Sequence, residues 1–102
     1  MSAGGQRSAR AVVATDAAPR YARQLLAHLG RKTAVEALDG VPDGGRLHFA
    51  YGTGTVRPGP EGLELVAEAA DGESLARVQD VLARHLERFG ARRELTVEWG
   101  PG

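Results

Sequence analysis

The sequence predicts an α+β fold in which two helices cover one face of an antiparallel sheet, forming a two-layer sandwich. Two segments, residues 16–29 and 71–89, carry apolar residues at spacings of three and four, as amphipathic helices do. Residues 46–51 and 63–69 alternate apolar with polar, which is typical of strands whose sheet has one wet face. The expected order is β-α-β(3-4)-α-β.

Length and composition limit the classes of protein to consider. The chain has 102 residues, and we expect a disordered tail over 1–9, one domain over 10–99 and a flexible tail over 100–102. Lys plus Arg and Asp plus Glu both number 13, and this balance argues against a nucleic-acid binder. Cysteine is absent, which excludes disulfides and thiolate metal sites. Without an apolar run of about 20 residues or a signal peptide, we expect a cytoplasmic protein with no membrane partner.

The first half of the chain predicts a strand, a helix and a second strand. Arg10–Thr15 is rich in β-branched residues and predicts the strand. Asp16 is the expected N-cap of a helix that runs to Leu29. Gly30 then predicts a left-handed helix stop, and Thr33–Leu38 is a short candidate strand.

The central residues predict three further strands separated by turns. Arg46–Tyr51 places Leu47, Phe49 and Tyr51 on one face and His48 on the other. The Gly-Thr-Gly run at 52–54 predicts a tight reversal, after which Thr53–Arg57 could pair back as a weak strand. Leu63–Ala69 alternates again and leaves Glu64 and Glu68 on the polar face.

The last part of the chain predicts a helix and a closing strand. Asp71 is the expected N-cap, and the apolar stripe of the helix continues to Phe89. Gly90 is expected to end the helix. Leu95–Trp99 then alternates apolar with polar and predicts the final strand.

His85 is the residue with the most open interpretation. At 100° per residue it lies about 60° from Leu82, inside or at the edge of the apolar stripe. A core histidine with one nitrogen bonded to a backbone carbonyl or a carboxylate is one interpretation. A ligand or a catalytic base is the alternative.

His28 lies near the end of the first helix, at the boundary of its apolar face. There it would complement the negative helix end. Because both helices are predicted to pack on one sheet face, side chains from the two could meet. The candidate ligand-binding residues are Tyr21, Gln24, His28, Lys32, His85 and Arg88.

Metal and nucleophile signals are weak. His48 is expected on the opposite sheet face from the helices, so it would not converge with the other histidines, and the ligand spacing of a metal site is missing. The glycines at 52 and 54 do not precede a helix, as a phosphate loop would. No serine lies in a nucleophile elbow. We therefore predict no catalytic residue, metal or cofactor.

Several motifs together resemble a known bacterial family. They are Ala-Thr-Asp-x-x-Pro-Arg-Tyr-x-x-Gln-Leu at 14–25, His-Leu-Gly-Arg-Lys at 28–32, a glycine-led strand at 45–49, Arg-His-Leu-Glu-Arg-Phe at 84–89 and Glu-Leu-Thr-Val-Glu-Trp at 94–99. The chain resembles the domain-of-unknown-function family 2218, in which the first helix is often followed by His-x-Gly-His-Lys. Arg31 replaces the second histidine here, which argues against a two-histidine metal site at that segment.

The resemblance implies a fold like that of the TATA-binding protein, without implying DNA binding. Because the family is associated with siderophore-interacting flavin reductases and iron uptake, it also implies an accessory role. We therefore expect a small non-enzymatic binding protein whose partner is such a reductase or a ferric-siderophore ligand. A histidine-based enzyme or metal-binding protein using His85 and His28 is the alternative. A homodimer formed through paired sheet faces is a further alternative.

Overall fold

The computed structural model describes residues 7–89 and 95–102, which form six strands and two helices. The α+β prediction is confirmed. The elements are β1 (Arg7–Val13), α1 (Ala18–Leu29), β2 (Ala34–Ala37), β3 (Gly45–Phe49), β4 (Gly52–Gly59), β5 (Gly62–Ala69), α2 (Gly72–Phe89) and β6 (Gly100–Pro101).

The strands form one antiparallel sheet in the order β2-β3-β4-β5-β1-β6. Alternate residues of β1 and β5 are buried, and register places Val13 opposite Leu63 and Ala11 opposite Leu65. The helix α2 packs against β1, β4 and β5, α1 packs against β3, β4 and β5, and the two helices contact each other. They therefore share one face of the sheet, as the alternation predicted.

The core lies between the helices and this face. Its larger fully buried side chains come from both layers and are Val13, Leu25, Leu47, Val56, Leu63, Leu65, Val78, Leu82 and Leu86. These residues come from every element except β2 and β6, so the packing of the helices on the sheet is one continuous apolar contact.

A glycine in β4 sets how closely α2 approaches the sheet. Gly54 is buried inside β4, and a Cβ built there would lie 3.0 Å from Cδ1 of Leu82. The tight reversal predicted at 52–54 is wrong. The turn is at residues 50–51, and β4 is a full strand of eight residues. The glycine is needed for helix–strand packing, which a reading of local turn signals does not detect.

The ends of α1 also differ from the prediction. Ala17, instead of Asp16, is the N-cap, and its amide donates to Oγ1 of Thr15 at 3.0 Å. Gly30 is right-handed (φ −69°), and its amide continues the helical pattern by donating to the Leu26 carbonyl at 2.8 Å. A Cβ there would lie 2.6 Å from that carbonyl oxygen, so close packing explains this glycine better than a left-handed turn does.

The two ends of the domain pair with each other. β1 begins at Arg7, inside the segment expected to be disordered, and pairs with Gly100 and Pro101, which were expected to be a flexible tail. The strand predicted at 95–99 is wrong, because these residues are not in a strand and the Val97 amide donates to the Glu87 carboxylate at 3.1 Å. The predicted helix stop at Gly90 lies outside the described residues.

The helix α2 begins as predicted at a side-chain cap. The Asp71 carboxylate accepts a hydrogen bond from the Ser74 amide at 2.7 Å, which satisfies one of the unpaired donors of the first turn. This bond lowers the pKa of Asp71 below its ordinary value. In the described part of the chain, neither helix has the length and apolar character to span a bilayer.

Gly54→Val is predicted to destabilise the protein by roughly 1–3 kcal/mol, because the added side chain collides with Leu82. Urea unfolding measures the loss. Thr53→Val is the matched control, since residue 53 lies on the opposite face of the same strand and should change stability by no more than about 0.5 kcal/mol. Equal effects of the two substitutions would contradict the packing role of Gly54.

Asp71→Asn is predicted to lower stability only where the aspartate is ionised. Since folding lowers the pKa of Asp71, its charge contributes stability above its ordinary pKa of 3.8, and this contribution is lost as pH falls through the lower folded pKa. Thermal unfolding from pH 7 to pH 2 should therefore show the two proteins converging at the acidic end. A difference that grows on acidification would contradict the assignment.

Candidate functional site

A groove lies where the C-terminal end of α1, the β3–β4 turn and the middle of α2 come together. Its volume is about 420 Å³, within the range of about 300–1,000 Å³ typical of small-molecule sites. The lining residues are His28, Leu29, Arg31, Lys32, Thr33, Phe49, Tyr51, Val81 and His85. We call it the histidine groove.

His85 is held by a hydrogen bond within its own helix. Its Nδ1 lies 2.7 Å from the Val81 carbonyl oxygen, and because a carbonyl can only accept, Nδ1 carries the proton. In the neutral ring Nε2 is then left with a free lone pair. The side chain is half-buried, so the expected bond to a backbone carbonyl is present, at the edge of the core instead of inside it.

The His28 ring lies directly beside the His85 ring. The two ring centroids are 5.0 Å apart with planes tilted by 46°, and the Phe89 ring meets His28 edge-on at 5.6 Å. His28 is exposed, in agreement with its predicted boundary position. Two titratable rings from different helices therefore share one surface of the groove.

An aromatic wall stands at the β3–β4 turn. Phe49 and Tyr51 stack with centroids 5.3 Å apart and planes 8° from parallel. The Arg77 guanidinium of α2 lies 4.1 Å from the Tyr51 centroid, a cation–π contact that helps to hold the ring in place. The wall offers an apolar surface to a planar ligand.

The charge in the groove is positive. Arg31 and Lys32 follow the end of α1 and are exposed, and the described residues that line the groove include no carboxylate. The α1 C-terminus contributes roughly half a negative charge through its dipole, which two full cations outweigh. The groove therefore attracts anions.

The structure brings together three of the six candidate residues named from the sequence. His28, Lys32 and His85 line the groove. Tyr21 is buried in the core, and Gln24 is exposed on α1 without lining the groove. Arg88 lies in a different concavity on the outer side of α2. A ligand-binding role for these last three stays a prediction.

Sequence reasoning missed Arg31, Phe49 and Tyr51 as groove residues. The alternation of β3 did place both aromatic residues on the helix-facing side, so the signal was available. The alternation alone does not show that the strand ends beside α2, where both rings are only partly covered. Arg31 was interpreted as a complement to the negative end of the first helix and through its place in the family motif, and not as a ligand-binding residue.

The remaining charged residues of the sheet lie mostly on its open face, and several of them form ion pairs. His48, as predicted, faces away from the helices, and its Nε2 lies 2.9 Å from the Glu36 carboxylate. Glu64 binds both Arg57, at 3.4 Å, and Arg10. These pairs neutralise that face, which leaves the histidine groove as the better candidate site.

Comparisons with known proteins agree with the fold and do not supply an activity. The chain matches no curated protein. It is similar to PA4090 from Pseudomonas aeruginosa, solved by NMR, with 32% sequence identity and a TM-score of 0.70, over 93% of this chain and 95% of that one. Residues 10–100 match the model of a family described as uncharacterized proteins conserved in bacteria. The chain therefore belongs to this family, DUF2218, as its motifs indicated.

Proposed function

We propose that the protein is a binding protein that takes a small anionic ligand with an aromatic part into the histidine groove. The observation that carries this proposal is the combination of Arg31 and Lys32 with the stacked pair Phe49 and Tyr51 in one concavity. The cations attract the charge and the ring pair packs against the planar part.

Catecholate groups of siderophores combine negative charge with an aromatic ring. The groove chemistry therefore supports, within this proposal, the iron–siderophore role that the family resemblance implies. A siderophore-interacting flavin reductase remains the proposed protein partner. Such a reductase would receive or deliver the ligand, while this chain holds it.

A histidine-based enzyme has one observation in its favour, the free lone pair at Nε2 of His85. The hydrogen bond at Nδ1 of His85 makes an enzyme a weaker proposal than a binding protein. In acid–base sites of the triad type a carboxylate at this nitrogen stabilises the imidazolium, whereas here the partner is the neutral Val81 carbonyl. Binding requires no such partner.

We predict that the metal-free protein, kept in EDTA, binds protocatechuate, an aromatic catechol carboxylate. Neutral catechol and non-aromatic citrate should bind at least about tenfold more weakly, because each lacks one of the two recognised properties. Calorimetric titration measures all three. Equal affinities, or no binding of protocatechuate, would contradict the proposal.

Lys32→Gln is predicted to weaken protocatechuate binding about fivefold to tenfold, since a charge-assisted contact contributes about 1–1.4 kcal/mol. Arg57→Gln is the matched control. It also removes one positive charge, but from the opposite face, where Arg57 pairs with Glu64. If both variants bind equally weakly, the effect is one of net charge and the groove is not the site.

A further inference from the structure

Anion binding alone does not explain why the imidazole rings of His28 and His85 lie in contact. Each imidazole nitrogen without a proton is a ligand for transition metals, and two such rings lie side by side at 5.0 Å. They come from different helices, α1 and α2, so tertiary packing creates the pair.

The hydrogen bond of His85 prepares this ring as a ligand. Histidines that bind metals almost always donate their second ring N–H to a carbonyl, a carboxylate or water, which fixes the tautomer and orientation of the ring. In His85 the Nδ1–H donates to the Val81 carbonyl in this manner. The coordinating position is then Nε2, on the side of the ring away from the helix backbone.

His28 is free to turn toward the same point. It is exposed, and within residues 7–89 and 95–102 its ring makes contacts with His85 and Phe89 but no hydrogen bond. Rotation of its side chain therefore breaks no hydrogen bond in the described part of the chain.

The separation of the rings fits a shared ion. Metal–nitrogen bonds of about 2.0–2.1 Å place each ring centroid about 3.2 Å from the ion. Two imidazoles at the tetrahedral angle then have centroids about 5.2 Å apart, and at a right angle about 4.5 Å. The observed 5.0 Å lies between these values, so the separation of the two rings is compatible with one shared ion.

Two nitrogens leave coordination positions open. The described residues contain no cluster of three or more histidine, cysteine or acidic side chains, so none of them adds a third ligand of this kind, and a bound ligand can supply the further donors. Arg31 and Lys32 weaken the binding of a bare cation and favour one that carries anionic ligands. An anionic oxygen ligand in the same groove meets both requirements.

We propose that His28 and His85 together coordinate a divalent transition-metal ion, with the anionic ligand of the groove completing its coordination. The ion belongs to the class that imidazole suits, Zn²⁺, Ni²⁺ or Cu²⁺. Coordination by the two histidines stands on their geometry alone, and only the participation of the anion rests on the proposed function.

The first test titrates the untagged protein with Zn²⁺ and Ni²⁺ alone. Calorimetry should show one ion per chain, and His28→Gln should weaken binding at least tenfold. His48→Gln should leave the affinity unchanged, because His48 lies on the opposite face. The histidine ring signals in NMR should shift for residues 28 and 85 only. Absence of binding, or a loss in His48→Gln equal to that in His28→Gln, would overturn the proposal.

His85→Gln provides the second variant, with circular dichroism to confirm its folding. Its expected loss of Zn²⁺ affinity is again at least tenfold. If it folds poorly, His28→Gln still decides the question, since His28 is exposed and outside the core. A folded His85→Gln protein with unchanged affinity would show that His85 is not a ligand.

The second test measures whether metal and anion bind together. Zn²⁺ should raise the affinity for protocatechuate at least tenfold over that in EDTA, and protocatechuate should raise the affinity for Zn²⁺ by the same factor. Protocatechuate binding in EDTA without any Zn²⁺ binding would overturn the metal site and leave the proposed function standing. Zn²⁺ binding without protocatechuate binding would overturn the proposed function and the participation of the anion, and would leave the histidine pair standing.

Discussion

The structure depends on the close approach of α2 to the sheet at Gly54. Leu82 occupies the space that a side chain at position 54 would fill, and Leu82 is fully buried. His85 lies about 60° from Leu82 around the helix axis. Because Leu82 packs on β4, His85 is placed on the flank of α2 instead of on its sheet-facing side. Because α1 packs beside α2 on the same face, that flank is where His28 lies.

The elements that sequence patterns predicted well are those with one buried and one wet face. The alternation in β5 and the apolar stripes of both helices follow from burial on one side, and the structure reproduces them. The errors arise where long-range packing overrides a local signal. Gly54 was interpreted as part of a turn. In the structure it leaves room for the side chain of Leu82, which lies on a helix far along the chain. Residues 95–99 alternate like a strand, but Val97 bonds to a helix side chain and only the following residues pair with β1.

The sequence predicted the position of each histidine on its helix and the possibility that the two meet, but not the contact itself. The angle of His85 on its helix placed it at the edge of the stripe, and His28 was placed at a boundary, both as observed. Their contact depends on the relative rotation and axial position of two helices, which no spacing in either segment encodes. Tyr21 is on the same helix as His28 but is buried in the core, as its spacing of four from Leu25 indicates.

The most direct test of the arrangement is the state of the two imidazole rings in solution. Long-range proton–nitrogen NMR spectra, recorded where the imidazole rings are neutral, identify which nitrogen of His85 carries the proton. Nuclear Overhauser effects report contacts between the rings. The structure predicts an Nδ1–H tautomer for His85 and cross-peaks between its ring and that of His28. An Nε2–H tautomer together with the absence of these cross-peaks would contradict the paired histidines on which the groove depends.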